Sequence, residues 1–350
     1  MSIAPLFNIR LPIVQAPMAG VQDSDLTIAV CKAGGLGSLP CAMLTPQAVL
    51  TECEKIRAAT DQAFNLNFFC HQPPLVDPDK SAAWKAHFSS YYAQWGFDPD
   101  GIGPGAIRVP FGEEMLAVVK LVRPAVVSFH FGLPPAHLLE QVRQTGAKII
   151  SSATTVQEAL WLQSQGVDAI IAQGLEAGGH RGLFLDTDAG YDVTSQVGTF
   201  ALLPQVLRAV DIPVIAAGGI ADAAGVKAAL SMGAAGVQVG TSYLLCTEAK
   251  TSAVHRAALQ GEGARHTALT NIFTGRPARG IVNRLMKDLN YMSVHAPAFP
   301  LAAAASAPLR AKAEAAGRGD FTPLWAGQNT SGCAAISATD MTLRLMGLVS

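Results

Sequence analysis

A chain of 350 residues that is 50% hydrophobic and only 15% charged can bury a large core, which excludes an intrinsically disordered protein. Its formal net charge of -1 carries no basic excess, so neither nucleic acid nor an anionic membrane is an expected partner and a small molecule is.

From Met1 to Gly20 the chain holds Arg10 among Pro5, Pro12 and Pro17, which is not the pattern of a secretory signal, and no uncharged apolar run has the length of a membrane helix. Cys31, Cys41, Cys53, Cys70, Cys246 and Cys333 are scattered without a C-x-x-C pair. Free thiols in a reducing cytoplasm are therefore expected, rather than disulfides or a zinc site.

Eight stretches have strand character: Ile13 to Met18, Gly35 to Pro40, Phe64 to Phe69, Ala125 to Phe131, Lys148 to Ala153, Ala169 to Gln173, Pro213 to Ala217 and Gly236 to Tyr243. Helical patterns separate them at Asp23 to Ala33, Thr45 to Thr60, Pro134 to Gln144, Thr154 to Gln165 and Asp222 to Met232. Several open on a capping Asp or Thr, and several stop at Gly34, Gly146, Gly166 or Gly233. Near-continuous apolar strands alternating with helices predict a parallel sheet covered on both faces, and eight such units predict an α/β fold of the (β/α)8 TIM-barrel type. An open doubly wound sheet would carry G-x-G-x-x-G after its first strand. Here that strand ends Ala16-Pro17-Met18-Ala19-Gly20.

Two segments stand outside the repeat. Residues 71–110 carry Pro73, Pro74, Pro78, Trp84, Tyr91, Tyr92, Trp95 and a Gly101 to Gly105 stretch, and are expected to form an inserted loop over the barrel mouth. Residues 248–320 are Ala-rich, with a helix expected at Leu301 to Ala316, and form an expected mainly helical cap domain. The barrel domain is then 1–247 with 321–350, its last helix returning from Gly332.

Chemistry is expected where loops follow strands. Ala217-Gly218-Gly219-Ile220 follows the seventh strand and Val239-Gly240-Thr241-Ser242 ends the eighth, where a TIM barrel holds a phosphate. Their glycines expose backbone N–H groups and Thr241 and Ser242 add hydroxyl donors. In the third strand Asn65 and Asn67 point the same way, and Asn67, nearer the C-terminal end, is the candidate for contacting a flat heterocycle or a substrate oxygen. Gln173 and Gln15 invite the same reading.

Beyond the sixth strand, Gly178-Gly179-His180 delivers an imidazole on a glycine-rich loop, where it serves as hydrogen-bond donor or proton acceptor. Glu176 and Arg181 flank it and either orient its ring or are solvated loop charges. His71, His130 and His137 have no metal-ligand spacing and read as structural or surface residues.

On these motifs the chain resembles the class I nitronate monooxygenases, once called 2-nitropropane dioxygenases. The matching segments are Pro12 to Gly20, Gly35-Leu36-Gly37-Ser38-Leu39, Asn65-Leu66-Asn67-Phe68-Phe69-Cys70-His71, Gly174 to Gly182, the two phosphate loops, Arg276-Pro277-Ala278-Arg279-Gly280 and Leu324 to Asn329. The E-A-G-G-H piece is shared with FMN-dependent enoyl-thioester reductases, whereas N-L-N-F-F-C-H favours the nitronate enzymes. The resemblance implies FMN, with its phosphate near Gly218, Gly219, Gly240, Thr241 and Ser242 and its ring near Ala16, Pro17, Met18, Asn67, Gln173 and Gly178. Gly179, Ala217, Gln238, Val239 and Trp325 complete the implied cofactor set.

His180 would face the substrate over the flavin, with Asn67 as a second substrate contact. The implied reaction passes an electron from an alkyl nitronate to FMN, admits O2 through a radical step, and yields a carbonyl compound and nitrite. Propionate 3-nitronate and neutral nitroalkanes are the substrates to consider, and the histidine either removes the C–H proton of a nitroalkane or only holds an anion. Some relatives line the pocket with cap tyrosines, for which this cap helix has no equivalent; Tyr91, Tyr92 or Tyr291 are the replacements considered. An NAD(P)H-dependent flavin reductase of enoyl thioesters or quinones is the alternative reading, a non-redox phosphate-binding barrel the third, and a monomer or homodimer the expected assembly.

Overall fold

Parallel strands alternate with covering helices in the computed structural model, which describes residues 2–103, 108–185 and 192–349. The barrel strands are β1 (Ile13–Gln15), β2 (Gly37–Pro40), β3 (Phe64–Phe69), β4 (Val126–His130), β5 (Lys148–Ala153) and β6 (Ala169–Gln173). After the short β7 (Gly179–His180), β8 (Val214–Ala217) and β9 (Gly236–Val239) complete the ring, and β10 (Thr267–Thr270) and β11 (Ala278–Ile281) lie outside it. Neighbours pair in the order β1, β9, β8, β6, β5, β4, β3, β2, and a parallel bridge between Val14 and Leu36 closes the ring. The eight expected strands are these eight barrel strands. Five are shorter than expected, the first and last most of all, because Ala16 and Pro17 leave the first ladder and a 3-10 turn, Thr241–Leu245, takes over after β9.

Three of the expected caps are present, at Asp23, Thr45 and Asp222, and the helix expected from Thr154 is capped one residue later, by Thr155. Asp23, Thr45, Thr155 and Asp222 each accept a backbone N–H at the start of a helix. Inside the barrel, Val14, Leu36, Val126, Ile150, Ala169, Ile171 and Ile215 pack with Ile3 and Phe7, which plug its bottom. Between strands and outer helices a second apolar layer includes Leu26, Leu66, Val127, Val142, Leu162, Val206 and Val237. The six cysteines are free.

Residues 71–110, expected as a loop, carry two helices, Pro78–Ala86 and Ser89–Trp95; Pro104 to Gly105 of the Gly101 to Gly105 stretch lie outside the described residues. Trp84, Phe88, Tyr91 and Tyr92 stand four, seven and eight residues along from the first, a one-face helical period that the proline-rich surroundings obscured. They share a core with Phe273, Leu285, Leu309 and Phe321, so the excursion and residues 248–320 pack as one cap. Trp84 Nε1–H donates to Ala302 O at 3.1 Å and Tyr92 O–H to Ala305 O at 2.7 Å, holding the helix Ala303–Ala315 in place.

The cap is also less purely helical than expected. β10, β11 and β7 form an antiparallel three-stranded sheet, so Ala278–Ile281 is a strand within the region expected to be mainly helical. The last helix is Ala338–Leu345, capped by Ser337, and begins later than Gly332. Among the described residues, no helix is long and apolar enough to cross a membrane.

Candidate active site

A cavity of about 500 Å³ opens at the C-terminal ends of the strands, beneath the cap. Ala16, Pro17, Met18, Asn67, Gln173, Gly178, Gly179, His180, Ala217, Gly218, Gly219, Gln238, Val239, Gly240, Thr241 and Trp325 all line it. Ser242 does not: its buried hydroxyl turns to Ala221 O at 3.4 Å. The 3-10 turn advances about a third of a revolution per residue, so adjacent Thr241 and Ser242 face different ways.

The glycine loop after β8 is shaped for an anion. Gly218 and Gly219 have φ of +114° and +72°, and a Cβ on Gly218 would lie 2.8 Å from Thr199 Oγ1. Beneath it Glu176 accepts from Thr199 N at 2.8 Å and from Thr199 Oγ1 at 2.9 Å. Thr241 Oγ1 accepts from Gly327 N at 2.9 Å, which leaves its own proton for a ligand.

Two carbonyl oxygens suit the N–H edge of a flat heterocycle. Asn67 donates both amide hydrogens to Ser128, at 2.9 Å to Oγ and 3.3 Å to the backbone oxygen, so what it retains is an acceptor and not the anion-binding donor expected of it. Gln238 Oε1 is buried and finds no partner among the described residues. Gln173 is differently employed, with its amide donating to His180 O at 3.0 Å and accepting from Gly182 N at 2.8 Å. Asn65 and Gln15 brace the barrel interior, Asn65 through Ser38 and Ser128 and Gln15 through Ser38 N and Gln22.

His180 lies on a strand rather than a supple turn. Gly179 pairs with Arg279 and His180 with Ala278, and Arg181 N–H donates to Pro277 O at 2.8 Å. A Cβ on Gly178 would come within 2.5 Å of Gly327 N, so that position admits only glycine. The His180 ring packs edge-on against Phe299 and Phe131, with Trp325 5.5 Å away, and its Nε2 lies 2.9 Å from Thr274 Oγ1. Its partly exposed surface faces the cavity. Burial, then the charges of Arg108 and Arg276 and the nearby His130 and His71, hold its pKa well below the usual imidazole value, so the ring is neutral.

The flanking charges do not orient that ring. Arg181 is fully buried and donates to Gly174 O and Gln173 O, both at 2.7 Å, and to Gln196 Oε1 at 3.0 Å, gripping the end of β6.

Sequence reasoning set aside His130, yet it lines the cavity. Its position at the last residue of β4 was the signal for this. His130 Nε2 is 3.2 Å from His180 O, and a carbonyl only accepts, so that nitrogen carries the proton and Nδ1 accepts from Ser152 Oγ at 3.1 Å. Burial first and Arg276 second push His130 down to about 3. By the same logic His71 is protonated at Nε2, which donates to Arg108 O at 3.1 Å, and burial pushes it down to about 4. His137 is a surface residue near Glu113.

Thr274 and Arg108 were also missed. Arg108 lines the cavity, has no acidic partner among the described residues, and sits near Arg310, which pairs with Glu314 at 2.7 Å. The rest of the outer wall is small: Ala303, Ser306 and Ala307. Tyr91 and Tyr92 bond within the cap, to Asp288 and Ala305, and no tyrosine lines the cavity among the described residues. No cluster of described residues could hold a metal ion.

A family model for nitronate monooxygenase matches residues 2–346. A nitronate monooxygenase of Paraburkholderia phytofirmans is 40% identical, covering 98% of this chain and 93% of the relative. One from Pseudomonas aeruginosa is 39% identical, covering 93% and 92%. Among solved structures, a nitroalkane oxidase from Streptomyces ansochromogenes superposes with a TM-score of 0.90 at 36% identity, covering 99% and 97%. FabK from Thermotoga maritima gives 0.73 at 26% identity, covering 99% and 94%.

Proposed function

The chain belongs to the nitronate monooxygenase family and is an oxidoreductase, and from that premise we propose that, holding FMN, it oxidises alkyl nitronates with O2 to a carbonyl compound and nitrite. One observation carries the reading: a single cavity joins the left-handed Gly218-Gly219 nest, the acceptors of Asn67 and Gln238, and a neutral His180.

The residues fit the cofactor. Gly218, Gly219, Gly240 and Thr241 would hold its phosphate through backbone N–H groups and a hydroxyl. Asn67 Oδ1 and Gln238 Oε1 would accept from the ring N–H, which satisfies the orphaned Gln238 oxygen. When bound, FMN supplies the redox chemistry that side chains lack.

Everything else falls to the chain. The cap covers the strand ends and would lower the polarity around a bound substrate, which strengthens every charge inside. Arg108 supplies the positive charge that an anionic nitronate needs, a task that Asn67 is not free to perform. His180 adds a neutral imidazole to the same cavity.

Anaerobic mixing of purified protein with an alkyl nitronate, followed at the flavin absorbance band, tests the proposal. Bleaching, together with nitrite formed in air, is expected. A flavin that stays oxidised with no nitrite would sink it, and rapid bleaching by NADH instead would favour a reductase.

A further inference from the structure

The glycine loop after β8 can offer N–H groups to the cavity only if its carbonyls point elsewhere. A trans peptide is planar, so each C=O points opposite to the N–H of the next residue. Ala217 O accepts from Gly174 N at 2.8 Å and lies 3.2 Å from Thr199 Oγ1, and Gly218 O lies 2.9 Å from the same hydroxyl. Gly218 N–H and Gly219 N–H are thereby turned away from Thr199. Both glycines line the cavity, neither N–H finds an acceptor among the described residues, and Thr199 stands behind the wall rather than in it.

Thr199 is in turn held by Glu176. Its Oγ1 is 2.9 Å from both Gly218 O and Glu176 Oε2, and shares one proton between them. The carboxylate has Thr199 N as a further donor, 2.8 Å from Oε2 and 3.1 Å from Oε1, whereas Gly218 O has no other donor among the described residues. Space for this pair is kept clear, since a Cβ on Gly174 would fall 1.9 Å from Thr199 Oγ1 and 2.6 Å from Glu176 Oε2. Gly198 brings no side-chain cap to the helix Thr199–Ala209, and the carboxylate from the loop after β6 takes that place. Buried Arg181 and Arg279 offset the charge of Glu176, so it is not a bare negative charge behind the nest.

We propose that Thr199, clamped by Glu176, is a positioning residue of the anion nest: by holding the Ala217 and Gly218 carbonyls it turns two N–H groups to the cavity, and so makes the phosphate of a bound flavin count towards affinity. The role rests on the FMN of the proposed function and not on its nitronate chemistry. Without the hydroxyl, Gly218 O loses its one described donor. The peptide between two glycines at φ of +114° and +72° then has no side chain to resist its turning, and a turned peptide presents an oxygen to the phosphate in place of an N–H. The flavin ring, which Asn67 and Gln238 would hold elsewhere in the cavity, does not feel this change.

Titration of the apoprotein with FMN and with riboflavin, each followed by quenching of flavin fluorescence, tests the role of Thr199 after circular dichroism has checked that each variant folds. Wild type is expected to bind FMN about 100-fold or more tighter than riboflavin. In Thr199→Val that ratio falls about tenfold or more through loss of FMN affinity, while the Kd for riboflavin stays within about threefold, and Thr199→Ser restores the ratio to within about threefold of wild type.

Equal loss of both flavins in Thr199→Val, an unchanged ratio, or a wild type that binds riboflavin as tightly as FMN overturns the proposal. Should Thr199→Val not fold, Thr199→Ala, which adds no bulk, carries the same test of the ratio. Nitrite assays separate the two readings. If the ratios behave as expected but no nitronate yields nitrite, nitronate oxidation fails and the role of Thr199 stands; nitrite formed by a protein whose ratio is unchanged in Thr199→Val overturns the role of Thr199 alone. A wild type that binds neither flavin overturns both.

Discussion

The two walls of the cavity are built on opposite principles. The inner wall consists of strand ends, where His130, Gln173 and Asn67 each make two or more hydrogen bonds, and behind it buried Arg181 grips the end of β6. The outer wall is the cap, two segments far apart in the chain that meet through aromatic packing and present small side chains with Arg108 and Arg310. Loss of an inner-wall partner leaves a buried polar group unsatisfied, whereas a cap change costs one contact in an apolar cluster. Under the proposed function, the fixed polar groups would orient the reacting atoms, and the packed wall would set substrate size and charge.

The division is broken most severely at its centre. His180→Ala is expected to retain FMN, read from the flavin-to-protein absorbance ratio, while nitrite formation from nitroalkane falls ~100-fold or more. Unchanged turnover would return His180 to a structural role. Arg181→Met removes the donor to Gln173 O, Gly174 O and Gln196 Oε1 and should cost about 3 kcal/mol, lowering Tm by roughly 4 °C. A melt within a degree of wild type would contradict the rigid-wall account.

On the outer wall, Arg108→Gln should raise KM for ethyl nitronate by ~10-fold or more with little change in kcat, since a charge-assisted hydrogen bond contributes about 1.5–3 kcal/mol. A kcat loss without a KM change would place Arg108 in the chemistry instead.

Acid tests both walls together. His71, His130, His180 and His255 are held neutral in the fold, with burial the first cause for each. Below about pH 6.5 the unfolded chain binds protons that the folded chain refuses, so stability is full above that pH and falls as pH drops, by up to ~1.4 kcal/mol per pH unit per histidine. Melting curves from pH 7 to pH 5 check it, and a flat Tm would count against four neutral imidazoles. The mildest effect is expected from Tyr92→Phe, which removes one cap hydrogen bond for about 1 kcal/mol and leaves the FMN content as it was.

Much of this was legible beforehand because it is local. The strand and helix periods, the capping Asp and Thr residues and the terminating glycines named the barrel, and the order of strands put both glycine loops and His180 at one mouth. Two misreadings were also local, since the period of Trp84, Phe88, Tyr91 and Tyr92 and the place of His130 at a strand end were there to be seen. Others were beyond any local pattern. Glu176 and Arg181 look like loop charges, and nothing nearby in the chain reveals that one caps Thr199 and the other grips β6.

By itself, then, the sequence determined the barrel and the loops that crowd its mouth, because hydrophobic period and backbone propensity act over a few residues. Only the tertiary structure decided what each polar atom bonds to. Thr274 lies 94 residues from His180, and Arg108 reaches the cavity from an excursion whose helices need residues 248–320 to complete their core. Such pairings depend on the register of β7 with β11 and on the closure of the cap, and a hydroxyl or a guanidinium acquires its role only when those are in place.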